Sequence, residues 1–208
     1  MAVRIRTGAL LAVVVLASTA CGQLLNTQNP TDQGATTHAD PSGDAGFAPT
    51  FDIIELRIFR GSAEIQARIW TTPDPALPAP GTFPSGSQFS GGIGFNTDLN
   101  SGTGFASFVA PCGGQQGIDR FIDLTARNFD GTYTVRDAAL AAVGTASVTQ
   151  DGPRVTFTAS FGVLGTPTGR TQVSAVVGVG TFAGRDCVPD APQSLPSRST
   201  GRTHPLIP

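Results

Sequence analysis

The run Phe95-Asn96-Thr97-Asp98-Leu99-Asn100-Ser101-Gly102-Thr103-Gly104 sets three oxygen-bearing side chains, Asn96, Asp98 and Asn100, at alternate positions. Oxygen clusters of this kind suit a hard cation such as Ca²⁺. One formal charge at Asp98 binds weakly, so a second carboxylate such as Asp119, in Gly117-Ile118-Asp119-Arg120-Phe121, would have to join it. The loop is not an EF-hand. That motif places Gly sixth and Glu twelfth, and counting from Asn96 gives Ser101 and Ser107. Asn, Asp and Gly also serve plain turns, through side-chain caps and left-handed backbone. A Ca²⁺ site at Asn96, Asp98, Asn100 and Asp119 and a turn without metal are both open on the sequence.

Catalytic sets are argued against by absence. His38 and His204 fall in segments read below as a tether and a tail, so no Ser-His-Asp, Cys-His or His-based zinc site assembles in a core. A haem site lacks axial ligands for the same reason, the only Met being Met1. Glu55 and Glu64, the only glutamates, alternate to the outward side of one hairpin. A carboxylate pair is what glycoside hydrolysis needs, yet exposed strand faces carry Glu routinely. The expectation is a protein that is not an enzyme. Trp70, the single Trp, lies on the outward face of its expected strand, as a ligand platform or packed on a neighbour.

The elements that must position these residues have period two. Ile54, Leu56 and Ile58 alternate with Glu55, Arg57 and Phe59, and after Arg60-Gly61-Ser62 the alternation resumes from Ala63 to Trp70, which predicts a hairpin. Further strands are expected over 91–97, 104–110, 119–127, 131–137, 144–150, 154–163 and 171–179. Val155, Phe157, Ala159 and Phe161 face inward in one, and Val173, Ala175, Val177 and Val179 in another. Only 137–143 suggests a turn of helix. Short strands broken by Gly, Pro, Asn and Asp predict an all-β, antiparallel β-sandwich, immunoglobulin- or jelly-roll-like, over 49–188. The stretch 73–87, with five prolines, reads as a long loop.

The ends read differently. Arg4 and Arg6 precede an apolar run from Ala9 to Ala17, shorter than the about 20 residues that span a bilayer, and small residues follow up to Cys21, the layout of a cleaved secretory signal over 1–20. Ala17-Ser18-Thr19-Ala20-Cys21-Gly22 resembles a bacterial lipobox, with Ser18 where Leu is usual. That resemblance implies lipidation of Cys21 with palmitate-class chains, an anchor of two or more acyl groups, and a place on the cell envelope outside the cytoplasm. Residues 21–48 are polar and Gly- and Pro-containing, a disordered tether; 189–208, rich in Pro, Ser and Arg, read as a disordered tail. Without 1–20 the chain keeps eleven Arg against fifteen Asp and Glu, a net charge of −4. Nucleic acid is therefore not an expected partner. With Cys21 given to lipid, Cys112 and Cys187 remain as an even pair in an oxidising compartment, and a disulfide between them is expected.

Asp40-Pro41-Ser42-Gly43-Asp44, the hairpin, Asn96-Thr97-Asp98-Leu99-Asn100-Ser101-Gly102-Thr103-Gly104 and Gly117-Ile118-Asp119-Arg120-Phe121 together resemble secreted bacterial modules related to family 9 carbohydrate-binding and DOMON-type sandwiches. Asn96 stands where those have their first Asp, and Phe121 where they have Tyr. The resemblance implies a display module for an envelope glycan or small ligand, stabilised by Ca²⁺, with Trp70 at the ligand. The alternative is a structural or assembly lipoprotein that docks to another envelope protein.

Overall fold

The computed structural model describes residues 35–40, 52–72, 74–105, 117–166, 171–179 and 183–188. The chain separates into Met1–Gln33, which lies outside the described residues, and Gly34–Pro208, the unit described below. Its period-two stretches form β2 (Asp52–Arg60), β3 (Glu64–Thr72), β4 (Phe89–Asn96), β5 (Arg120–Arg127), β6 (Tyr133–Asp137), β7 (Ala142–Asp151), β8 (Arg154–Ser160) and β9 (Gln172–Val179). Two further strands, β1 (Thr36–Ala39) and β10 (Ala183–Val188), flank them.

The ten strands form one antiparallel sheet in the order β1-β2-β3-β8-β7-β6-β5-β4-β9-β10. Strand β7 changes partner along its length: Ala142 to Ala146 pair with β6, and Ser147 to Asp151 with β8. The sheet is continuous through that strand. It returns on itself where the buried Asp186 of β10 accepts the Ile53 N–H of β2 through one oxygen and the Cys187 N–H through the other. The all-β antiparallel class is as the alternation predicts. The strands make one nearly closed sheet, continuous through β7.

One core fills the interior. Leu56, Ile65, Ile69, Val155 and Phe157 are fully or almost fully buried there, each worth about 1.5–3 kcal/mol over exposure. Phe157 stacks on Phe89 at 6.3 Å and meets Tyr133 edge-on at 5.7 Å. A second, smaller cluster of Ile118, Phe121, Val176 and Cys187, with Phe105 against it, lies on the other face of the sheet. Strand β4 is buried on both faces, and its glycines have a packing reason. A Cβ on Gly94 would stand 2.7 Å from Ile118 Cδ1, and one on Gly91, at φ 131°, would stand 2.0 Å from the Val176 carbonyl oxygen.

The domain begins earlier than the tether reading places it, because Thr36–Ala39 pairs with β2 from Thr36↔Ile58 to Ala39↔Glu55. His38 therefore belongs to a strand, and burial holds its pKa below the ordinary histidine value. Strand β10, Ala-Gly-Arg-Asp-Cys-Val, has no hydrophobic alternation to announce it; pairing with β9 creates it. The short helix is α1 (Phe161–Leu164), bounded by the Ser160 side chain, which accepts the Val163 N–H, and by Gly165 at φ 69°. It ends the strand expected to reach Val163. Residues 138–141 instead form a turn held by Asp137 Oδ1, which accepts the N–H groups of Ala139 at 2.9 Å and Ala141 at 3.0 Å. Of the strand expected at 104–110, Phe105 makes one bridge to Ile118, and 106–110 lie outside the described residues.

Strand direction sorts the connections into two ends. The turns at 61–63, 97–105 and 138–141 and α1 occupy the end where β1 starts; 74–88, 128–132 and 152–153 occupy the opposite end.

Candidate functional site

The turn after β4 is built by its own side chains. Asp119 Oδ2 accepts the Thr97 N–H at 2.8 Å, the Thr97 hydroxyl at 3.1 Å and the Asp98 N–H at 3.2 Å. Asp98 accepts the Asn100 N–H through Oδ1 and the Thr103 hydroxyl through Oδ2, both at 2.8 Å. Asn100 Oδ1 accepts the Gly102 N–H at 3.0 Å. These are the local caps that Asx turns use, and Leu99 between them takes the left-handed conformation at φ 60°. Asp98 and Asn100 thus lie in one loop, and Asp119, just before β5, reaches it through the Thr97 and Asp98 donors. Asn96 stands apart from them: it is 1% exposed, on the buried side of β4 where Gly117 passes against its amide. A cation here would compete with backbone and hydroxyl donors for three of the four carboxylate oxygens. Among the described residues no group of three or more His, Cys, Asp or Glu side chains is placed to hold a metal ion.

Trp70 lies on the outer face of β3, as its alternation predicts, and is half-buried. Strands β2 and β8 flank β3 and bring Arg57 and Arg154 to 4.9 Å and 6.0 Å from the indole centroid. One step along, Arg68 lies 3.9 Å over Phe59. Glu55 pairs with Arg57, Glu64 accepts from Gln66, Gln66 from Arg68, and Asp151 pairs with Arg154. The face is a ladder in which guanidinium planes sit against aromatic rings and carboxylates neutralise them. Neither glutamate stands as an isolated acid or base.

Two residues at the opposite end were not singled out by sequence. Among the described phenylalanines, Phe83 (75%) and Phe129 (92%) alone are largely exposed. The proline-rich 74–88 loop that carries Phe83 is tied down. Gly81 N–H donates to the Arg127 carbonyl at 2.8 Å, Arg127 N–H to the Thr82 carbonyl at 3.1 Å, and the Arg127 guanidinium to the Pro78 carbonyl at 3.0 Å. Gln150 Nε2 adds a bond to the Pro75 carbonyl at 2.6 Å. Phe129 rests on Gly81, where an added Cβ would stand 2.5 Å from its ring. The sequence signal was a Phe inside Thr82-Phe83-Pro84 and another inside Asn128-Phe129-Asp130-Gly131, large apolar residues among turn formers with no period to bury them.

Of the other expected site residues, Cys187 is buried on β10, and Cys21 and Cys112 lie outside the described residues. No protein-family model matches the chain, and no curated protein is significantly similar to it. The likeness to carbohydrate-binding and DOMON-type modules therefore has only the residues quoted for it behind it.

Proposed function

We propose that the chain is an exported lipoprotein, anchored to the cell envelope through Cys21, that displays a non-catalytic all-β binding domain. The signal layout and lipobox-like Ala17 to Gly22 support the anchor. That Cys187 takes part in a disulfide supports its expected pairing with Cys112. Such a loop is worth about 4 kcal/mol in the chain-entropy model.

The partner is another envelope protein, in preference to a glycan. One observation carries this choice: the Trp70 ring is engaged by Arg57 and Arg154, so the face on which a sugar would stack is already taken. A glycan reading keeps the polar ladder around Trp70 as its surface. Fractionation of cells carrying wild type or Cys21→Ala tests the anchor. Wild type stays with membranes at its mature, lipidated mass, and the variant is either released or accumulates at the precursor mass; membrane retention of both at the same processed mass would contradict the proposal. A glycan array separates the partners, since saturable binding lost in Trp70→Ala would restore the glycan reading.

A further inference from the structure

We infer that the end of the sheet bearing Phe83 and Phe129 is a docking surface for a protein whose apolar socket is rimmed by Lys or Arg. This rests on the protein-partner reading above and assigns it a place and a chemistry. Single exposed apolar side chains are ordinary on protein surfaces. Here two large rings stand on adjoining loops of the same end, while the other described phenylalanines are buried or half-buried. The loops are held firm by the Gly81, Thr82, Pro78 and Arg127 backbone bonds, so presenting the rings costs a partner little ordering entropy.

Charge selects the occupant. Asp74, Asp130 and Asp151 are all exposed at this end. Among the described side chains here Arg154 is paired with Asp151, and the half-buried Arg127 is held by the carbonyls of Pro78 and Gly131, which leaves Asp74 and Asp130 as the exposed charges without a counter-ion. The Asp130 carboxylate accepts the Thr132 N–H at 2.9 Å and hydroxyl at 2.7 Å, which hold its pKa below the ordinary aspartate value and keep it charged. An acidic rim around apolar anchors repels an anionic bilayer and a second copy of the same end. It complements a basic rim around an apolar pocket.

The test pans a phage-displayed library of random cyclic peptides on the purified full chain and titrates the selected peptides against variants. The expected peptides combine Lys or Arg with aliphatic or aromatic residues. They bind Phe83→Ser and Phe129→Ser about 10-fold or more weakly and Asp74→Lys about 3- to 10-fold more weakly. Both Phe positions are exposed, so unchanged thermal unfolding of the variants excludes a folding effect. Peptides that bind wild type and the double Ser variant equally would overturn the assignment of this end while leaving a protein partner elsewhere. Failure to select any peptide would count against both. Flotation of the chain with phosphatidylcholine–phosphatidylglycerol vesicles, abolished in Phe129→Ser, would replace the socket by a lipid surface.

Discussion

Asp119→Ala removes the acceptor around which the turn after β4 is wound. The lost bonds run from two backbone N–H groups and one hydroxyl, at 2.8, 3.2 and 3.1 Å. A hydrogen bond to a charged group contributes about 1.5–3 kcal/mol, but Asp98 is exposed and Thr97 half-buried, so water recovers part of each. The expected loss is about 2–3 kcal/mol, close to the upper range for losing a helix cap. For a domain of this size that corresponds to about 4–12 °C in Tm. Asp119→Asn keeps one acceptor oxygen without the charge and loses about half as much. Urea unfolding of both variants supplies the measurement, with the m-value as control for a changed denatured state. A loss below about 0.5 kcal/mol for Asp119→Ala would refute the view that this carboxylate organises the turn.

Four further outcomes follow from the same geometry. Scanning fluorimetry in Ca²⁺ and in EDTA gives superimposable melting curves, since three of the four carboxylate oxygens of Asp98 and Asp119 already accept hydrogen bonds; a saturable rise with Ca²⁺ would make Asp98 and Asp119 metal ligands. Leu140, exposed and at φ 67° in the β6–β7 turn, gains about 0.5–1 kcal/mol on replacement by Gly, read by urea unfolding, because the left-handed strain exceeds the entropy cost. Gly91→Ala abolishes folding or costs more than about 4 kcal/mol, because its Cβ meets the backbone of β9; soluble yield and circular dichroism check it. Burial raises the Tyr133 pKa from 10.0 to about 12, the Arg127 charge opposing it. Its contribution is thus full below pH 10 and is lost as pH rises from 10 towards 12, where the unfolded chain sheds the proton first. Tyr133→Phe flattens that alkaline limb of the unfolding curve and leaves neutral stability unchanged or higher, since the phenol makes no hydrogen bond among the described residues.

What could be read from the sequence was whatever one strand dictates alone. Val155, Phe157 and Ala159, and Val173, Ala175 and Val177, are buried on the face their alternation predicts, because one side of each strand must leave water. The continuity of the sheet could not be read, since it depends on β7 exchanging β6 for β8 midway, a property of register between distant segments. Strands β1 and β10 hide for a related reason. Thr36–Ala39 is polar and largely exposed, and the inward group of β10 that closes the sheet is Asp186, a residue that hydrophobic patterning scores as surface. Of the candidate site, the nearness of Asp98 and Asn100 was legible from their alternation, whereas the approach of Asp119 depends on the pairing of β4 with β5. The separation of Asn96 was not legible. Strand β4 is covered on both faces, which buries a side chain that alternation alone would have left beside Asp98.

The intact mass of the protein taken from its native host tests the central claim most directly. The account predicts residues 21–208 plus a diacylglyceryl group and acyl chain, less two hydrogens for a Cys112–Cys187 bridge. A lipid-free mass, or one that retains residues 1–20, would contradict an envelope lipoprotein that displays this domain.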